Sequence, residues 1–273
     1  MLLRGLIIYF ILTRISFSQT ALEDSSLVDE IELTFGIEGG ILKTSQYLEP
    51  LKDFTYQGEP VDQTIPFSFA PVFTVQAGLR GFGFNIFAFM RNSFLNYGAD
   101  GNVYIKDGME IFSTAQELLE WGGGLYYKIN PRWSAGLQYS RYSGEMRGRE
   151  KPPGPMSSID TYFSFKQLKA SASYHFVLNE KTFVPLKAGF TLYSYMPNVS
   201  DQILIEFPDQ YTTGNIQYRY GYNGKPFNLT LEAELHFDFV LTPLLRYEYL
   251  SIGSTYHIHM FSLLLRWMIP AEN

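Results

Sequence analysis

The chain has 273 residues, a formal net charge of −6, 17% aromatic residues and only 18% charged ones. Lys plus Arg total 21 against 27 Asp plus Glu, a balance that argues against nucleic acid, which requires a basic patch. Cysteine is absent, and this excludes disulfide frameworks, zinc–thiolate sites, dithiol redox motifs and a lipid-modified N-terminal cysteine.

The N-terminal segment MLLRGLIIYFILTRISFSQT places Arg4 ahead of an apolar run from Leu6 to Leu12. Small residues follow at Ser16 and Ser18, the two positions a signal peptidase reads. The pattern predicts a secretory signal over residues 1–18, cleaved before Gln19, and an exported chain forming a single domain over 19–273. The run is too short to span a bilayer as a helix, and no apolar run elsewhere reaches the 18 or so residues needed.

From there on, the period is two. IELTFGI sets Ile31, Leu33, Phe35 and Ile37 against Glu32, Thr34, Gly36 and Glu38. The same alternation runs through LEWGGGLYYKI (119–129), RWSAGLQYS (132–140), LKASASYHF (168–176) and VPLKAGFTL (184–192). It is cleanest in FNLTLEAELHFDF, where every odd position from Phe227 to Phe239 is apolar and every even one is polar. No segment of similar strength has a 3.6 period, so the chain is all-β. Strands are predicted at about 29–41, 67–79, 82–92, 117–129, 132–143, 161–177, 182–195, 226–240, 244–252 and 255–269. In the last of these the alternation slips between Met260 and Phe261, as a bulge would make it do.

The connections alternate in length. Long ones cover 42–66, 93–116, 144–160 and 196–225; short ones lie near Arg80-Gly81, at Asn130-Pro131, at Leu178–Lys181 and at Leu241-Thr242-Pro243. A fifth connection, near Gly253, is short and breaks the pattern. All long loops therefore emerge on one side, which is the signature of a transmembrane barrel with short periplasmic turns and long extracellular loops. Strands of nine to eleven residues suit a membrane crossing. The fold class predicted is a closed antiparallel up-and-down transmembrane β-barrel of about ten strands, with eight and twelve as alternatives. The alternating stretches QILIEF (202–207) and NIQYRYGY (215–222) are read as a hairpin rising within the fourth long loop.

Lipid meets the apolar face and the barrel interior takes the polar one. On this register the interior receives Glu30, Glu32, Glu38, Glu120, Glu232, Glu234, His236, Asp238 and Glu248, with Arg80, Arg91, Lys128, Arg132, Lys169, Lys187, Arg246 and Arg266. Across the 241–243 turn, Asp238 is expected to face Arg246, and His236 to face Glu248. Closure is expected to bring Glu30 or Glu32 toward Arg266. Balanced opposite charges in so narrow a barrel predict a packed polar core rather than a pore. Phe87 and Phe89 fall on this inner side too.

A signal segment, about ten amphipathic strands, aromatic strand ends (Trp121, Trp133, Tyr139, Trp267) and the final strand FSLLLRWMI together resemble a small bacterial outer-membrane β-barrel protein of the OmpA- or OmpW-like class. The resemblance is one of pattern over nearly the whole chain and selects no subfamily. It implies an outer-membrane location, contact with outer-membrane lipids and folding by the barrel-assembly machinery. Such chains commonly end on an aromatic residue; here Pro270–Asn273 follow, so Trp267 is expected to take that part.

His257 and His259 have a spacing that can chelate a metal, but a third ligand is not evident. His236 and Asp238 resemble the Asp-His pair of omptin-type barrel proteases only in reversed order and without a partner aspartate pair. No catalytic residue, metal site or cofactor is assigned. In RYSGEMRGREKPPGP the bases Arg141, Arg147, Arg149 and Lys151 form a candidate loop surface for lipopolysaccharide phosphates or an acidic partner. The function expected is that of a closed barrel acting through its extracellular loops in a structural or surface-interaction role. The alternatives are a narrow porin-like channel for small solutes and, less favoured, a barrel hydrolase. The oligomeric state is left open. N-terminal sequencing of the membrane-bound protein is expected to start near Gln19; recovery of Met1 would reverse the export reading.

Overall fold

A computed structural model of the chain describes residues 31–53, 55–56, 59–60, 64–96, 102–104, 110–150, 158–179, 182–197, 202–208, 214–235 and 241–268. The predicted signal segment lies outside the described residues. Ten long strands make the wall: β1 Glu32–Leu48, β2 Thr64–Gly81, β3 Phe84–Asn96, β4 Glu110–Lys128, β5 Trp133–Glu150, β6 Ser158–Asn179, β7 Thr182–Tyr195, β8 Pro226–Glu234, β9 Leu241–Ile252 and β10 Tyr256–Met268. Each pairs antiparallel with the next, and β10 pairs back onto β1 from Gly36↔Met268 to Leu48↔Tyr256. The sheet is therefore a closed ten-strand barrel, and no edge is left whose backbone groups hydrocarbon would strand.

The segments at 202–208 and 215–221 do form a hairpin, as the sequence indicated. It does not enter the ten-strand ring. Its first strand hooks onto the start of β6, Gln202 opposite Tyr162 and Glu206 opposite Ser158, and extends the wall beyond the end of β7. Of the short turns, the first sits at Phe82-Gly83, just beyond the predicted Arg80-Gly81. Both residues have positive φ, 51° and 77°, as a two-residue hairpin turn matching the strand twist requires.

Side chains alternate as the period of two demands. In the half of the wall nearest the short turns, outward residues are large, apolar and exposed, such as Ile86, Leu125, Leu186, Leu231, Leu245 and Leu263. Trp133 and Trp267 stand at the turn side of this belt, with Trp121, Tyr139 and Tyr195 at its loop side. From Trp133 to Arg141 on β5 is about 27 Å of strand. At the tilt usual for such barrels that is roughly 20 Å of height, near the ~25 Å of an apolar membrane band.

Beyond this belt the pattern inverts. On β5 the outward residues become Arg141, Ser143, Glu145 and Arg147, while Tyr142 and Met146 are buried inside. On β6 Lys166 points out, and Phe165, Phe163 and Ile159 point in. On β4 Glu117 is outward and Leu118 inward; on β1 Lys43 is outward and Leu42 inward. The same inversion corrects the reading of β10. Its register to β1 and to β9 runs without a break, so Met260-Phe261 is no bulge. The chemistry of the two faces exchanges there instead: Tyr256, Ile258 and Met260 are buried inside, with His257 and His259 outside. The strands also continue well past the predicted loop-side ends, β1 to Leu48 rather than 41 and β5 to Glu150 rather than 143.

A closed, hydrogen-bonded wall resists detergent. Unboiled protein is expected to migrate differently from boiled protein in detergent gels; identical mobility, with extraction into carbonate buffer, would overturn the transmembrane barrel.

Candidate functional site

Two charge clusters occupy the lumen of the belt half. The first is centred on Arg91 of β3, whose Nη2 lies 2.6 Å from Glu120 Oε2 on β4 and 2.6 Å from Glu248 Oε2 on β9. Lys169 of β6 donates to Glu120 Oε1 and to the Tyr142 hydroxyl, both at 2.8 Å. Tyr142 in turn donates to Glu248 Oε1 at 3.3 Å, and Asn228 Nδ2 donates to the same oxygen at 2.5 Å. Six strands thus converge on four charged centres, two cations and two carboxylates, all buried, with Glu120 at 1% exposure and Glu248 at 2%.

The second cluster sits closer to the turns and spans the closure seam. Glu38 of β1 accepts from Arg246 of β9 at 3.2 Å and from Arg266 of β10 at 2.5 Å. Arg246 Nε also donates to Glu232 of β8 at 3.1 Å, Arg266 Nη1 to Glu234 at 2.5 Å, and Lys187 of β7 lies 3.7 Å from Glu232. Together the clusters hold five acids (Glu38, Glu120, Glu232, Glu234, Glu248) and five bases (Arg91, Lys169, Lys187, Arg246, Arg266), each in at least one ion pair. Such pairing is the condition for burying charge at all.

Below them, toward the turns, Phe87 stacks on Tyr126 with centroids 5.3 Å apart and planes at 9°, and Phe89 lies 6.0 Å from Phe87. Gly124 and Gly136 make room for these rings: a Cβ at Gly124 would press on Phe87, and one at Gly136 on Tyr126. Lys187 Nζ completes the layer 4.7 Å over the Tyr126 ring. Above the clusters the inverted half supplies an apolar seal. Leu48, Met146, Phe163, Ile203, Ile252 and Ile258 are each fully buried. One polar thread crosses it, Gln116 Nε2 donating to the Tyr256 hydroxyl at 2.9 Å and that hydroxyl donating to Gln46 Oε1 at 3.1 Å. The short turn between β9 and β10 is pinned over this end: Glu49 N donates to Thr255 O and Ser254 Oγ to Glu49 Oε2, and the latter bond holds the Glu49 carboxyl below its ordinary range.

Ten residues expected inside are in the network: Glu38, Arg91, Glu120, Lys169, Lys187, Glu232, Glu234, Arg246, Glu248 and Arg266. Others are not brought together. Lys128 is exposed at the turn end of β4, and Arg132 is exposed in the turn that follows. His236 and Asp238 lie outside the described residues, and the pairings assigned to them are corrected. Arg246 stands opposite Glu232, and Glu248 opposite Thr230. β8 ends at Glu234, Leu235 N donates to Pro243 O at 3.0 Å, and β9 begins at Leu241. The ladder therefore starts earlier on β8 than a 241–243 turn would set it. Closure likewise brings Glu38, not Glu30 or Glu32, to Arg266; Glu32 is opposite Arg80. Sequence reasoning missed Tyr142: it lies within the predicted strand, but it is an aromatic residue at an inward position, where only polar and charged residues were sought.

The basic segment is also relocated. Arg141, Arg147 and Arg149 belong to strand β5 rather than to a loop. Arg141 is outward and exposed, Arg147 pairs with Glu145, the Arg149 side chain and Lys151 lie outside the described residues. His257 and His259 face outward, and their Nδ1 atoms bond to the hydroxyls of Tyr249 (2.7 Å) and Tyr247 (2.9 Å) rather than converging.

No family model matches the chain, and no curated protein matches it. Among solved structures it is similar to the β domain of the Bordetella autotransporter BrkA (11% identity, 86% of this chain and 99% of that one, TM-score 0.41). It is also similar to a deletion mutant of the monoaromatic hydrocarbon channel TodX (8%, 88% and 90%, 0.38) and to the attachment invasion locus protein Ail of Yersinia pestis (8%, 86% and 97%, 0.34). At these scores the likenesses carry no argument, and the barrel rests on its own strand pairing.

Glu120→Ala leaves Lys169 without its carboxylate and Arg91 with one of two. It is expected to destabilise the refolded barrel by about 3–5 kcal/mol. Adding Lys169→Met is expected to restore part of the loss. Urea titration in detergent checks this; strictly additive losses would dissolve the network.

Proposed function

We infer that the chain is an integral outer-membrane protein whose lumen is closed and whose working surface is the loop end, in a structural or surface-interaction role. The observation that carries this is the filling of the lumen at three successive levels: stacked rings near the turns, ten paired charges at mid-height and an apolar seal toward the loops. A pore needs a continuous wet path, and a barrel this narrow has little interior beyond what side chains fill. Short turns at one end and long connections at the other favour the turns facing the periplasm and the loops facing outward. The outward aromatic Trp267 on β10 suits a strand handled by the barrel-assembly machinery. No nucleic-acid partner and no enzymatic activity are assigned.

The hydrogen-bonded charges also argue against easy opening. Each pair is surrounded by others, so moving one side chain exposes several charges at once. In a planar bilayer the purified protein is expected to show no steady conductance at neutral pH. Stable, ion-selective openings would sink the closed-lumen reading and promote the narrow channel.

A further inference from the structure

One row of the outer wall sets two cations side by side. Trp121 of β4 is opposite Arg141 of β5, Arg141 is opposite Lys166 of β6, and Lys166 is opposite Tyr195 of β7. All four side chains are outward and exposed. Like charges directly opposite on neighbouring strands repel, so this row needs a counter-charge. The chain does not supply one among the described residues. Arg141 lies over the Trp121 ring at 5.9 Å, and Lys166 has no partner there. The next outward row, Leu119, Ser143 and Ser164, is uncharged. Beyond it, Glu117 accepts from Asn92 and Glu145 is bonded to Arg147.

The position of the pair says what the counter-charge belongs to. It stands on the line where the outer wall changes from apolar to polar, with Tyr139, Leu168 and Tyr193 in the row immediately below. That is the level of lipid headgroups, and flanking Trp and Tyr mark the same interface. Beneath Lys166 the outward residues of β6 shrink to Ala170 and Ala172, and Leu137 and Phe190 rise on either side of Ala170. The small side chains of Ala170 and Ala172, below Leu168, leave a shallow apolar furrow on the wall.

We propose that Arg141 and Lys166 bind the phosphate group of an outer-leaflet lipid, lipopolysaccharide, with its acyl chain lying along Ala170 and Ala172. A guanidinium presents paired N–H donors to phosphate oxygens, and an ammonium adds a compact charge to the remaining one. Binding removes the repulsion between the two strands, so lipid and wall stabilise each other. The proposal rests on the outer-membrane orientation above and is independent of whether the lumen conducts.

The test is a titration of the refolded full chain, in zwitterionic detergent micelles, with lipopolysaccharide, with its dephosphorylated form and with inorganic phosphate. Wild-type protein is expected to bind lipopolysaccharide roughly tenfold or more tightly than R141Q/K166Q does, with the difference shrinking as salt rises. R147Q, a cation already paired, is expected to bind as wild type. Dephosphorylated lipid is expected to bind wild type as weakly as the double variant binds the intact lipid, and inorganic phosphate is expected not to compete. Unchanged affinity in the double variant, or equal binding of the dephosphorylated lipid, would overturn the site. Competition by inorganic phosphate at matched concentration would overturn its assignment to a lipid. Should R141Q/K166Q lose its heat-dependent gel shift and so fail to fold, K166Q and the dephosphorylated lipid decide by the same readings. A conducting barrel would sink the closed-lumen reading and leave this titration untouched, and the converse also holds.

Discussion

A wall of strands in hydrocarbon must leave no backbone donor or acceptor unpaired, and this one meets that demand at the seam between β10 and β1. Everything else follows from closing the ring there. Closure sets the tenth strand against the first with Arg266 opposite Glu38, and Glu38 then bridges Arg266 and Arg246. A side-chain clamp therefore lies behind the backbone ladder at the one junction that joins the two ends of the sequence. Had the register slipped by one residue, Glu38 and Arg266 would face lipid, at a cost of several kcal/mol for the pair.

A ring of ten strands encloses a narrow lumen, and half of every strand's side chains must go into it. Those side chains are polar in the belt half because the apolar ones are needed outside. They are buried all the same, so charge has to be matched to charge. Arg91, Glu120, Lys169 and Glu248 come from four different strands, and Tyr142 and Asn228 both donate to the Glu248 oxygen that Arg91 leaves. Glycines complete the packing where a ring must lie flat against the wall, as Gly124 does beneath Phe87. The lumen is thus specified by hydrogen bonding at mid-height and by shape at either end.

Past the belt the barrel changes solvent. Its outside meets water, its inside no longer has to be polar, and the strands become those of a water-soluble barrel with an apolar core. The paired strands Gln202–Pro208 and Asn215–Gly221 continue the wall into this region, and the first contributes Ile203 and Ile205 to the seal. The boundary between the two regimes is narrow, about one residue pair per strand, and it is there that outward-facing Arg141 and Lys166 stand together. Charge accumulates on that line because it is the first level at which an outward cation is not in hydrocarbon.

The sequence by itself determined the all-β class, the alternation of turn and loop lengths, a count of about ten strands and which residues of FNLTLEAE face inward. Each of these follows from a local period of two and from turn residues, which need no knowledge of partners. The tertiary structure alone decided the pairings. Glu232 rather than Asp238 meets Arg246, and Glu38 rather than Glu32 meets Arg266, because register depends on where a strand stops, and alternation continues unbroken through 236–239 without marking that point. It alone decided the full length of the strands as well. The inversion of faces near Leu42, Leu118 and Arg141 breaks the periodic signal while the backbone continues unchanged, so one sheet passing from lipid into water looks, in sequence, like a strand that has ended, and at Met260 the same inversion looks like a bulge.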